Sequence, residues 1–174
     1  MKTRDLALCA LFTALTAVCA WISMTVMEVP FTLQTFAIFL TLGLLGGKRG
    51  SLTILVYLLL GLVGVPVFAG FSSTAALFGV TGGYIVGFLA SALVYWLITA
   101  LLGEKLWVQF VAMIAGLMVC YAFGSVWFYI FYLNKGTPIG FAVVLAKCVV
   151  PFILPDAVKI ALALFLTRRL KRFV

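Results

Sequence analysis

The sequence has no histidine and only four acidic residues, Asp5, Glu28, Glu104 and Asp156, against twelve lysines and arginines. Without histidine no Ser/His/Asp set can be built, and no two carboxylates lie close in sequence for paired acid–base work. The nucleotide-binding pattern G-x-x-x-x-G-K-[ST] is absent, and Gly46-Gly47-Lys48-Arg49 does not satisfy it, so the chain is not expected to hydrolyse ATP itself. The four cysteines (Cys9, Cys19, Cys120, Cys148) show no C-x-x-C spacing. They read as small packing residues, and suggest neither a zinc site nor a disulfide framework. Enzymatic chemistry is therefore poorly supported: no catalytic residue, metal site or resident cofactor is expected.

Charge is scarce altogether. Charged residues make up 9% of the 174 residues and apolar ones 66%. Mean hydropathy is +1.32. A soluble domain is about half apolar and a quarter charged. The apolar stretches are continuous, with no two-residue alternation, so the expectation is an all-α integral membrane protein. At roughly 20 residues per span there is room for about six helices, and the whole chain, 1–174, reads as one domain. The net charge of +8 would suggest nucleic acid in a soluble chain. Here the basic residues cluster at helix ends, so topology explains them better and no nucleic-acid partner is expected.

In chain order, span 1 covers about 6–27. Its basic start and apolar run resemble a signal peptide, but no cleavage site is evident. Ala10 and Ala14 lie four apart, with Cys9, Thr13 and Ala17 beside them, a spacing that lets another helix approach closely. That approach serves packing within the chain or contact with a partner. Spans 2 (34–45) and 3 (51–65) are short, joined by a tight basic turn at 46–50. Neither crosses a ~30 Å core alone, so non-helical backbone must fill the gap and line protein or a cavity. The glycine-rich run 66–84 and the polar 31–35 segment are the candidates. Span 4 (81–102) carries a small-residue ladder at Gly79, Gly83, Gly87 and Ser91. Span 5 (106–133) carries another at Ala112, Gly116, Cys120 and Gly124. Trp127-Phe128-Tyr129 to Tyr132 reads as an interfacial aromatic belt. Pro155 with Asp156 next reads as a helix start, placing span 6 at 155–170, with 139–154 a short helix or re-entrant piece.

Six spans put both termini on one side. That side holds Lys2, Arg4, Lys48, Arg49, Lys105, Arg168, Arg169, Lys171 and Arg172; the other side's loops hold only Lys135. The asymmetry places both termini in the cytoplasm of a multi-pass cell-membrane protein. Lys159 and Asp156 then lie about 14 and 18 Å above Arg168 at ~1.5 Å per residue. An acid and a base three apart on one helix face, buried in apolar sequence, are costly unless paired or meeting a ligand. The plain alternative is a pair that only fixes helix packing. Lys147 either snorkels outward or reaches the pocket.

Four stretches resemble the BioY family, the biotin-specific S components of energy-coupling-factor (ECF) transporters. They are Val29-Pro30-Phe31-Thr32-Leu33-Gln34-Thr35, Leu62-Val63-Gly64-Val65-Pro66-Val67-Phe68-Ala69-Gly70, Thr81-Gly82-Gly83-Tyr84 with Gly87-Phe88, and Leu154-Pro155-Asp156 with Lys159. The resemblance covers nearly the whole chain, in the family's order. It implies a six-helix protein that binds biotin on its outer face. The implied partners are a membrane T component and two ABC-type ATPases that hydrolyse the ATP. It points to Ala10 and Ala14 as the face that docks on the T component, and to Asp156 and Lys159 as polar ligand contacts. An arginine that some members carry in the pocket has no counterpart in 81–87, and the usual Pro-Gly-Asp reads Leu154-Pro155-Asp156.

Biotin has a ureido ring with two N–H groups and a carbonyl, an apolar sulfur ring and a carboxylate tail. Asp156 suits the ureido N–H groups; Lys159 suits the ureido oxygen or the carboxylate. Phe68, Phe71 and Tyr84 suit the rings, Gln34 and Ser72 serve as neutral hydrogen bonders, and Gly83 gives close backbone approach. The alternatives are an S component for another small vitamin or a biotin precursor, a stand-alone secondary transporter, and an assembly protein with no ligand.

Overall fold

The computed structural model describes residues 3–24 and 29–172. Among the described residues there are seven helices: α1 (Thr3–Trp21), α2 (Gln34–Leu62), α3 (Thr74–Phe78), α4 (Gly82–Leu102), α5 (Leu106–Asn134), α6 (Phe141–Cys148) and α7 (Val150–Leu170). Between α1 and α2 a short antiparallel hairpin pairs β1 (Ser23–Met24) with β2 (Phe31–Thr32), and a 3-10 turn covers Ala69–Phe71. Five helical stretches of the described residues are long and apolar enough to cross a membrane: α1, α2, α4, α5 and Phe141–Leu170. Large apolar side chains such as Leu97, Trp107, Met118 and Leu154 are exposed on their outer faces. Such an outside suits lipid, where helices satisfy their own backbone groups.

Helix α2 is folded back on itself. Gly46 leaves the helical conformation with φ 78° and ψ 168°, a left-handed geometry that favours glycine. Gln34 Nε2 then donates to the hydroxyl of Tyr57 at 2.8 Å. In a straight helix those 23 residues would span about 34 Å. The two legs, 34–45 and 47–62, are thus short antiparallel helices meeting at the expected basic turn. The second leg ends at Leu62 rather than at 65, where the chain turns through Gly64 at φ 101°.

Helices α4 and α5 form the tightest pair, and their two small-residue ladders interlock. A Cβ on Gly87 would meet the Cα of Cys120 at 3.2 Å, and one on Gly116 would meet the Ser91 carbonyl oxygen at 3.0 Å. A Cβ on Gly83 would run into the Trp127 side chain, and one on Gly124 into the Tyr84 ring. Missing side chains let the backbones close, which is how helices gain contact when lipid supplies no hydrophobic drive.

Three expectations need correction. Helix α1 stops at Trp21, because the chain beyond it pairs as β1; the 25–27 part of the expected span lies outside the described residues. The last helix begins at Val150, with Pro151 in its first turn and Pro155 inside it. Pro151 occupies a position that has no helical donor to lose; Pro155 forgoes a single backbone bond, and the helix tolerates that. Only Val149, at φ −123° and ψ −57°, separates α6 from α7. The 127–132 belt is in part interior: Phe128 is fully buried and stacked on Tyr132, and Trp127 Nε1 donates to the Gly79 carbonyl at 2.9 Å.

The two ends of the bundle differ. At one end Arg49 pairs with Asp5 at 3.1 Å and Lys171 with Glu104 at 2.6 Å. These contacts gather the start of α1, the α2 bend, the α4–α5 turn and the end of α7. The opposite end holds the β-hairpin, the 66–81 segment and the cavity described next.

Candidate functional site

A cavity opens at the end away from the termini, and seven elements meet around it. Val29, Pro30, Thr32, Gln34 and Thr35 come from the β-hairpin and the start of α2; Phe68, Ala69, Ser72 and Ala76 come from the glycine-rich segment. The α4 start gives Thr81, Tyr84, Ile85 and Phe88, and the middle of α5 gives Leu117, Cys120 and Tyr121. Cys148, Phe152, Asp156 and Lys159 complete the wall. The space between these side chains, its open mouth and the adjoining solvent included, is about 760 Å³.

The polar centre is a triad. Lys159 Nζ donates to Asp156 Oδ1 at 2.8 Å, and the Tyr121 hydroxyl donates to Asp156 Oδ2 at 2.6 Å. Asp156 is 3% exposed and Lys159 6%. Each carboxylate oxygen already accepts one charge-assisted or short bond, and each keeps a further lone pair. The Lys159 ammonium also sits 4.2 Å from the centre of the Phe31 ring, which stacks on Phe152 at 6.4 Å. A cation between a carboxylate and an aromatic face is held from two sides.

The rest of the wall is neutral. The Tyr57 hydroxyl takes the Gln34 amide proton and donates to the Val67 carbonyl at 2.8 Å, tying the start of α2 to the glycine-rich segment. Phe68 packs edge-on against Tyr57 with ring centres 5.4 Å apart. A small turn holds the mouth: Phe68 N donates to the Ser72 carbonyl at 3.0 Å and Ser72 Oγ to the Ala69 carbonyl at 2.6 Å. The Tyr84 hydroxyl donates to the Cys148 carbonyl at 3.3 Å, bridging α4 to the end of α6.

The structure brings Gln34, Phe68, Ser72, Tyr84, Asp156 and Lys159 onto one cavity wall. It does not bring Gly83, which faces Trp127 across the α4–α5 contact and serves helix approach there. Nor does it bring Phe71, whose ring stacks on Trp21 at 5.1 Å on the outside and whose φ is 57°. Lys147 is exposed on α6 and off the cavity wall. Ala10 and Ala14 both face outward, while Cys9, Thr13 and Ala17 are buried against the bundle. Tyr121 is the main residue that sequence reasoning missed. A tyrosine in mid-span, well before the aromatic cluster at 127–132, needs a partner for its hydroxyl; that signal was available.

A helical bundle with a largely apolar pocket that holds one buried ion pair beside a hairpin is a fold met before. The chain superposes with a TM-score of 0.84 on a crystal structure of the S component for biotin from an ECF-type ABC transporter, at 24% identity over 100% of this chain and 96% of that one. A second S component of a bacterial ECF transporter matches with a TM-score of 0.64 at 15% identity, over 99% of this chain and 98% of that one. These likenesses establish the S-component fold. The chain belongs to the BioY family, whose sequence model matches residues 1–174. It is 41% identical over 172 residues to the "Probable biotin transporter BioY" of Pyrococcus horikoshii, covering 98% of each chain. It is 40% identical over 172 residues to the "Biotin transporter BioY" of Thermotoga maritima, covering 97% of this chain and 96% of that one.

Proposed function

We propose that this chain is the biotin-binding S component of an ECF-type vitamin uptake transporter, a transport subunit rather than an enzyme. The observation that carries the reading is the Tyr121–Asp156–Lys159 triad buried on the wall of a neutral, aromatic-lined cavity. Its groups match the ureido ring: the carboxylate accepts from two N–H groups and the ammonium donates to the oxygen. Phe68 and Tyr84 flank the bicycle, with Gln34 and Ser72 as neutral contacts. The relatives' names supply the ligand's identity.

The α2 bend makes six the natural number of spans, counting each of its legs and treating Phe141–Leu170 as one. The basic end, with both termini, faces the cytoplasm, where positive charge accumulates. The cavity then opens outward. The outward-facing Ala10 and Ala14 stripe is the docking face for a T component, with two ABC-type ATPases supplying the energy. The 31–35 segment and the 66–81 segment close over the ligand before docking.

Labelled-biotin binding to the purified chain in detergent tests the central claim. Saturable, one-to-one binding is expected, and its absence at micromolar ligand overturns the reading. The same titration with other small vitamins decides whether biotin is the preferred guest.

A further inference from the structure

The cavity wall has a steep polar gradient. Its only charged side chains among the described residues are Asp156 and Lys159, both deeply buried and bonded to each other. The half-buried polar residues of the wall are Thr35, Ser72 and Thr81, all neutral. Charge therefore sits in the deeply buried part of the wall as a cancelled pair, and the solvent-reached rim carries hydroxyls alone.

That arrangement fixes how a ligand with one polar head and one anionic tail can enter. A carboxylate taken to the bottom would face Asp156 and compete for an ammonium that Asp156 already holds at 2.8 Å. Burying a third charge beside a matched pair is costly. The uncharged ureido head has the opposite match, with donors for the carboxylate and an acceptor for the ammonium. The head goes down and the tail ends at the hydroxyl rim, where water also reaches.

From this gradient we infer that the site reads the ureido head and is indifferent to the charge of the tail. The inference rests on biotin being the ligand. Its consequence is a wider substrate class: biotin whose carboxyl is joined to an amine, such as biotinamide or biotin linked to the side-chain nitrogen of lysine. These amides keep the head intact and replace the carboxylate by a neutral group that the rim hydroxyls can still hydrogen-bond.

The test is direct titration of the full chain in detergent with biotin, biotinamide and 2-iminobiotin, repeated on Lys159→Met. In the wild type, biotinamide binds within about tenfold of biotin, whereas 2-iminobiotin, altered at the head, loses about a hundredfold or more, since a site built on specific hydrogen bonds rejects a head that breaks them. Lys159→Met weakens biotin and biotinamide by the same factor. Biotinamide binding more than about tenfold worse than biotin, or a Lys159→Met loss confined to biotin, assigns the lysine to the carboxylate and overturns the inference. The wild-type comparison stands by itself if the variant fails to fold. Failure of biotin to bind at all is a separate result, which removes the proposed function and this inference together.

Discussion

The Tyr121 hydroxyl meets Asp156 Oδ2 at 2.6 Å, joining the middle of α5 to the second turn of α7 across 35 residues of sequence. With Lys159 on the other oxygen, it holds the carboxylate in one orientation facing the cavity. Replacing Tyr121 by Phe removes a bond to a charged group, worth about 1.5–3 kcal/mol. Biotin affinity should fall at least about tenfold, with a lower melting temperature in detergent. Isothermal titration and thermal unfolding of the purified variant check both. Unchanged affinity would leave Tyr121 a purely structural partner.

The acid–base pair should show strong coupling. Asp156→Asn and Lys159→Ala each strand one buried charge, at a cost of about 3–5 kcal/mol. Each should weaken biotin binding strongly and lower stability. The double variant Asp156→Asn with Lys159→Met strands neither, and should be more stable than either single one while binding biotin no better. Melting temperatures of the four proteins close the cycle.

Gly124 tests the link between helix packing and the cavity. A Cβ there collides with the ring of Tyr84, which lines the wall and donates to the Cys148 carbonyl at 3.3 Å. Gly124→Ala should push Tyr84 from its place and weaken biotin binding. Overpacking of this kind costs about 1–3 kcal/mol. Gly83→Ala, whose Cβ meets Trp127 away from the cavity, should lower stability with a smaller effect on affinity.

Tyr57 links the start of α2 to the mouth through Gln34 and the Val67 carbonyl. Tyr57→Phe breaks both bonds and leaves buried groups without a partner, at about 1–3 kcal/mol for each such group. Faster hydrogen exchange in the 66–73 segment and faster biotin release should follow. Exchange mass spectrometry and a dissociation assay measure these.

The outward stripe on α1 gives a prediction of a different kind. Ala10→Leu with Ala14→Leu alters no residue of the cavity wall. The purified variant should bind biotin as the wild type does, yet fail to co-purify with a T component and ATPases or to support uptake. Assembly that survives both substitutions would move the docking face elsewhere.

Several features were legible because single residues force them. Gly46-Gly47-Lys48-Arg49-Gly50 announced a tight basic bend, and the structure bends at Gly46. Two ladders of small residues four apart marked faces open to close helix approach, and α4 packs on α5 through them. Asp156 and Lys159, alone in apolar sequence, announced a pair, and they bond. Other features were not local. Gly83 looked the same as a ligand-approach glycine until Trp127 was placed against it. Pro155 looked like a helix start until Pro151 took that role. Phe71 could not be assigned to the inside or outside of a loop by its neighbours in sequence.

The sequence by itself determined the solvent this protein lives in, the basic character of one end, and the scarcity of charge that makes one acid–base pair matter. These follow from composition and spacing, because the apolar share of the chain and the position of each charged residue are read from residue type alone. Tertiary structure decided which groups share the cavity: that Tyr121 completes the pair, that Gly83 and Phe71 lie elsewhere, and that Ala10 and Ala14 look outward. The reason is geometric. A contact across 35 residues depends on the rotation and depth of two helices, and these are set by the packing of every neighbour at once.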